Sequence, residues 1–277
     1  MSSLKVLLLG TGCPLPNPSR TSPSQVVLCG DEPFLVDCGE GATGQLVRAG
    51  LDPATVKHVL ITHHHSDHMA GYGHFVVTSW VMGRRYLKVV GPRGTDRITR
   101  MLFKEIYRDD VAYRMSMGRP GSGIVDIDVV EAEDGTELHL GDCRVSVAQV
   151  PHSVNLPCLA FRFDAAGRSL VISGDTAYTE KLVALAKGSD LLVCEASMVE
   201  PEGGRLHQAH TPVFWEKLHT QHLTPREAGR IATQAGVKKL VLSHLLPSAD
   251  ASKIASDAAS EFAGDVVVGE DLMEISI

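Results

Sequence analysis

The 277-residue chain is 44% hydrophobic but only 5% aromatic, so a large core is possible only if it is built from Val, Leu, Ile and Ala. A net charge of −7 excludes a globally basic nucleic-acid binder, because no overall field draws a polyanion toward it. Six scattered cysteines (Cys13, Cys29, Cys38, Cys143, Cys158 and Cys194) with no CxxC pair exclude a disulfide framework and predict free thiols in a cytoplasmic chain. No run approaches the ~18 apolar residues of a membrane span, so no membrane partner is expected.

The first half reads mainly as strands. "LKVLLLG", "SQVVLCG" and "PFLVDCG" are short apolar runs bounded by Gly and Pro, and "GTG" after the first resembles a turn, not the cleavage site of a signal peptide. A helix is predicted through "EGATGQLVRAGL", then a buried strand at Val59–Ile61, a helix through "GYGHFVVTSWVMG", a strand "LKVVG" and a helix around "RITRMLFKEIYRD". The polar, glycine-bearing stretch 108–124 predicts a mobile connection. Strands follow at "IDVVEA", "CRVSVAQV", "CLAFRFD" and "SLVISG". The second half alternates helix and strand. In "LTPREAGRIATQAG", Thr224 is a suitable N-cap, Pro225 suits the first helical position, Glu227 completes a capping box and Gly236 closes the helix. Residues 198–221 read as an inserted loop, and 266–275 as a last strand or two.

The stretch "VLITHHHSDHMAG" (59–71) places His63, His65, Asp67 and His68 where a buried strand turns into a helix. Imidazoles converging on such a turn repel one another if protonated, whereas a bound cation is well served by neutral imidazole and carboxylate. The bland alternative is a solvated histidine-rich turn. Four other strands end in the same way, delivering His152, Asp175, Glu195 and His244. Strands that end at one sheet edge would gather these side chains into one cavity.

The pattern His63-x-His65-x-Asp67-His68, followed in order by His152, Asp175 in "SGDT" and His244, resembles the metallo-β-lactamase superfamily over nearly the whole chain. The resemblance implies an α/β fold, an αββα sandwich of two mixed sheets flanked by helices. It is expected as one domain over 1–277, with pseudo-symmetric halves of roughly 1–150 and 151–277. It further implies two metal ions, zinc first and manganese or iron as alternatives. One ion would be held by His63, His65 and His152 and the other by Asp67, His68 and His244, with Asp175 bridging. Two cations sharing a water lower its pKa and give hydroxide at neutral pH, which would attack an ester-type bond. Asp67 would orient that water. His222, in the family's H-x-T pattern, would protonate the leaving oxygen with Glu195 as its partner.

"GTG", "LVDCGEGATGQL" and His222 resemble most the tRNase Z and arylsulfatase-like branch. Two departures bear on the substrate. The family's "HEAT" is "CEAS" here, and 198–221 holds only Arg205 and Lys217 against Glu200, Glu202 and Glu216, with no cationic arm for phosphates. The expected substrate is therefore a small-molecule carboxyl, sulfate or phosphate ester. The alternative is a tRNA 3′-processing endonuclease, and the alternative of another class is a non-enzymatic metal-binding scaffold, which would purify without stoichiometric metal. Phe214, Trp215, His207 and His210 are candidates for closing over the site. Arg84, Arg85, Arg93, Arg97 and Arg100 read as a solvated helix face, and a homodimer is left open.

Overall fold

The computed structural model describes residues 4–198, 211–247 and 249–277. In the first part of the chain β1 (Leu4–Gly10), β2 (Ser24–Cys29), β3 (Glu32–Val36), β4 (His58–Leu60), β5 (Lys88–Gly91) and β6 (Asp128–Glu131) alternate with α1 (Ala42–Arg48), α2 (Ser66–Met69), α3 (Tyr72–Met82), α4 (Thr95–Met101) and α5 (Arg108–Ser116). Then come β7 (Glu137–Leu140), β8 (Cys143–Val150), β9 (Cys158–Ala165), β10 (Arg168–Ile172), α6 (Glu180–Ala186) and β11 (Leu191–Glu195). The last described elements are α7 (Pro212–His219), α8 (Pro225–Ala235), β12 (Lys239–Ser243), α9 (Ala251–Ala259), β13 (Asp265–Val268) and β14 (Met273–Ser276). The strands form two seven-stranded mixed sheets, ordered β14-β1-β2-β3-β4-β5-β6 and β13-β12-β11-β10-β9-β8-β7.

Alternation along the strands builds the layers. Leu4, Val6 and Leu8 of β1 and Leu159, Phe161 and Phe163 of β9 face one another between the sheets, while Leu7 and Leu9 point outward. The outer face of the first sheet is covered by α1 and α3 through Leu46, Tyr72, Phe75 and Trp80. That of the second is covered by α6, α8 and α9 through Leu182, Ile231, Ala232, Ile254 and Ala258. Helix, sheet, sheet, helix is the expected αββα sandwich. Helix α8 starts as its sequence dictates: Thr224 Oγ1 accepts from the Glu227 amide, Glu227 reaches back to the Thr224 amide, and Gly236 takes φ 66°.

Two segments differ from expectation. Residues 108–116 of the predicted connection form α5, because Val111 buries and Arg114 pairs with Asp110 one turn back at 3.0 Å. Of the predicted loop 198–221, residues 212–219 form α7, capped by Thr211, whose hydroxyl accepts from the Phe214 amide; His207 and His210 lie outside the described residues. Strand β7 and helix α9 were not anticipated from sequence. No helix among the described residues is long and apolar enough to cross a membrane, and all six cysteines are buried and free.

Strands β3 and β4 are parallel, as are β10, β11 and β12. Their carboxyl ends lie at one edge of the sandwich, where the chain leaves each sheet.

Candidate metal centre

The turn after β4 carries the first residues of the site. His63 and His65 precede α2, and Asp67 and His68 lie on it. Two glycines let this turn seat closely: a Cβ on Gly71 would meet the Gly39 carbonyl at 2.2 Å, and one on Gly39 the Asp67 carbonyl at 2.4 Å. The other sheet contributes His152 after β8, Asp175 after β10, Glu195 at the end of β11 and His244 after β12. His244 sits at φ 59°, in the left-handed region that a bulky residue rarely takes.

All seven expected ligand residues are buried or nearly so and come together. Donor atoms of His63, His65, His152 and Asp175 lie within 4.8 Å of one another, and so do those of Asp67, His68 and His244. Asp175 joins the sets: its Oδ2 is 3.8 Å from both His63 Nε2 and His152 Nε2 and 3.3 Å from His244 Nε2, and its Oδ1 is 3.5 Å from His68 Nε2. Asp67 Oδ2 is 3.3 Å from His244 Nε2 and 3.6 Å from His68 Nε2. A third set, Asp175, His222 and His244, meets the same distance limit, so His222 stands close enough to be a ligand. That placement was not anticipated from sequence.

The far side of each ring fixes which nitrogen faces inward. His68 Nδ1 donates to Asp37 Oδ2 at 2.8 Å, and His152 Nδ1 donates to the Gln221 carbonyl at 2.9 Å. Thr62 Oγ1 donates to Asp37 Oδ2 and so accepts from His63 Nδ1 at 3.0 Å. In the neutral form of each ring, Nε2 is thereby left as a lone pair aimed into the cluster. The Nε2 atoms of His63 and His68 are buried with no hydrogen-bond partner, and His152 Nε2 faces His65 Nδ1 at 3.1 Å. Two buried inward nitrogens with no hydrogen-bond partner, set among carboxylates and further imidazoles, fit a site for divalent cations.

The electrostatics separate the two sets of rings. Burial, with neighbouring imidazoles, holds His63 well below the ordinary histidine value and lowers His65 and His152, so these rings are neutral ligands. Burial acts likewise on His68, but the Asp175 and Asp37 carboxylates overcome it and hold the ring well above its usual range. Asp37 is the residue the sequence reading missed. It sits at φ 56° just past β3, and besides His68 it accepts from the Thr62 amide and hydroxyl, each at 2.8 Å. An Asp directly after an apolar strand is its only sequence-level signal, and any turn gives the same.

His222 and Glu195 pair at 3.0 Å through His222 Nδ1. Burial disfavours the imidazolium, yet Glu195 more than compensates and lifts His222 to about 9. Glu195 is fixed by the Thr176 amide at 2.7 Å and the Ser197 hydroxyl at 2.7 Å. Beside this pair lies an apolar cavity of about 170 Å³ walled by Leu15, Phe214, Trp215, Leu218 and Leu246, with His222 and His244 on one side.

Comparison with known proteins agrees with this arrangement. The model of the beta-lactamase superfamily domain matches residues 33–245. Ribonuclease Z of Mycobacterium bovis is 32% identical over 281 aligned positions, covering 99% of this chain and 98% of that protein. The metallo-beta-lactamase fold protein YhfI from Bacillus subtilis superposes with TM-score 0.76 at 21% identity, covering 99% of this chain and all of that one. The short form of human tRNase Z superposes with TM-score 0.68 at 24% identity, covering 99% of each. Signature, sandwich and full-length similarity lead to one assignment: the chain belongs to the metallo-β-lactamase superfamily of metal-dependent hydrolases, on its tRNase Z branch.

Proposed function

We propose that the chain is a phosphodiesterase that cuts RNA, removing the 3′ trailer of precursor tRNA, with two divalent ions, zinc in the first instance. One ion would be held by His63, His65, His152 and Asp175 and the other by Asp67, His68, His244 and the same Asp175. The observation that carries the reading is this shared carboxylate between two donor sets, since a pair of cations suits in-line displacement at a phosphodiester. Bound there, the ions would supply an activated water at neutral pH and neutralise charge on the phosphoryl oxygens.

The chain's own groups do the rest. Asp67 stands where it can accept a hydrogen bond from the attacking water and orient it. His222 Nδ1 is tied to Glu195, which leaves Nε2 to give its proton to the departing ribose oxygen. Ser197 and the Thr176 amide keep Glu195 in register, so the His222 ring cannot swing away. The apolar cavity beside the site has room for one nucleobase, stacked on Phe214 or Trp215.

Full-length similarity to proteins named Ribonuclease Z favours RNA over the small ester expected from the acidic segment 198–221, whose composition describes one stretch of the chain and not the whole surface. The apolar cavity is the one observation that favours a small ester as second reading. A panel separates them: precursor tRNA with a 3′ trailer, bis-nitrophenyl phosphate, an aryl sulfate and a lactone, each with and without added metal. Metal-dependent cleavage of the tRNA at a single position is expected. Turnover of the sulfate or lactone with the tRNA left intact would replace this reading by the second.

A further inference from the structure

The arginines first read as a solvated helix face fall into two groups in the structure. Arg84 is buried and commits its guanidinium to the carbonyls of Val76, Tyr86 and Gly123 and the Ser79 hydroxyl, and Arg85 binds the carbonyls of Trp80 and Arg84. These two are structural. Arg93, Arg97, Arg100 and Lys104 are exposed, and the last three recur at helical spacing along α4 and the π-helical turn Leu102–Ile106 that continues it. Arg100 is paired with Asp96, but Arg93, Arg97 and Lys104 make no ion pair among the described residues.

Local charge runs against the rest of the molecule. Residues 84–119 hold ten Lys and Arg against four Asp and Glu, in a chain whose net charge is −7. The stripe also starts beside the turn that carries the first ligand residues. Thr95, the first residue of α4, bonds through Oγ1 to His64 Nε2 at 2.9 Å, and a Cβ on Gly94 would meet the His64 ring at 3.4 Å. His64 lies between two of the ligand residues. From Thr95 to Lys104 the helical rise carries the cations roughly 14 Å away from the site.

We propose that Arg93, Arg97, Arg100 and Lys104 form a track for the phosphate backbone of the RNA substrate, leading from the metal centre along α4. The inference rests on the RNA reading above and adds how a net-acidic protein holds a polyanion. Exposed cations in a row are readily brought to phosphates, because Arg93, Arg97 and Lys104 have no ion pair to give up and Arg100 only a solvent-exposed one, and each phosphate they neutralise releases condensed counterions. Arg93 and Arg97 would hold phosphates beyond the scissile one, on the side nearer the site, and Lys104 those farthest out.

The test is binding of a fluorescently labelled RNA hairpin with a single-stranded 3′ tail, followed by anisotropy across a salt series, for the wild type and the triple variant Arg93→Ala, Arg97→Ala, Lys104→Ala. The slope of log affinity against log salt should flatten by about 2–3 in the variant, at roughly 0.7–0.9 for each phosphate that is no longer neutralised. The charge-preserving variant Arg93→Lys, Arg97→Lys, with Lys104 kept, should retain the wild-type slope. Hydrolysis of bis-nitrophenyl phosphate, too small to reach the stripe, should be unchanged in all. An unaltered slope in the Ala variant, or no RNA binding by the wild type, would overturn the track. Absence of metal-dependent phosphodiester cleavage by the wild type would instead overturn the function on which it rests.

Discussion

Replacing Asp37 by Asn tests the logic of the cluster with the smallest chemical change. The carboxylate is 2% exposed and accepts three hydrogen bonds, from the Thr62 amide on Oδ1 and from the Thr62 hydroxyl and His68 Nδ1 on Oδ2, each at 2.8 Å. An asparagine in the same place keeps its oxygen toward the Thr62 amide, so its NH2 falls where Oδ2 was and donates to Thr62 Oγ1 and His68 Nδ1. His68 must then carry its proton on Nε2, the atom that faces Asp67 and Asp175. A protonated Nε2 is no ligand. Removing an outer carboxylate of this kind typically costs 10–100-fold in metal affinity, about 1.4–2.7 kcal/mol. The loss should fall first on the Asp67, His68 and His244 set, whose His68 bonds residue 37 directly, and reach the His63, His65 and His152 set more weakly, only through Thr62. Competitive metal titration against a chromophoric chelator reads both affinities, and thermal unfolding of the metal-free protein checks the fold. Two affinities equal to wild type, or an equal loss at both, would refute the tautomer argument.

Three further outcomes are expected. His222→Ala should slow cleavage of a ribose phosphodiester by ~10²–10⁴-fold and of a nitrophenyl diester far less, because the latter's leaving oxygen needs no proton; metal content by elemental analysis separates this from loss of a ligand. Gly71→Ala forces a methyl group against the Gly39 carbonyl 2.2 Å away, so the turn bearing Asp67 and His68 must shift, at about 1–3 kcal/mol in urea unfolding. Asp271→Ala strips the acceptor shared by the Thr11 and Thr21 amides and hydroxyls and by Gln45 Nε2, and with part-buried donors left unmade it should cost about 2–3 kcal/mol by the same measurement.

The features legible in sequence were those whose cause is local. His63, His65, Asp67 and His68 share one turn, and the capping box of α8 lies within four residues, so spacing alone announces them. His152, Asp175 and His244 were legible as strand ends, because parallel strands finish at a common edge. What escaped was set by neighbours distant in sequence. Asp37 owes its part to Thr62 and His68, 25 and 31 residues on. Helix α5 is held by one buried valine and the Arg114–Asp110 pair across one turn, too little to outweigh its polar composition. Overall charge misled in a different way: an average over 277 residues conceals a basic stretch as short as 84–119.

Strand β14 lies in the same sheet as β1, antiparallel to it, with Lys5 opposite Ser276 and Leu8 opposite Met273. Strand β1 therefore has, on the ribosome, one flank with no partner until Met273–Ser276 have emerged. Through that interval its amides and carbonyls form an open edge of mostly apolar character, of the sort that recruits strands from other chains. A chain stopped before Met273 keeps every metal-binding side chain and yet carries that edge permanently. Its defect would show as aggregation before it showed as lost chemistry, and a separately supplied peptide spanning 265–277 should suppress it by closing the sheet from outside.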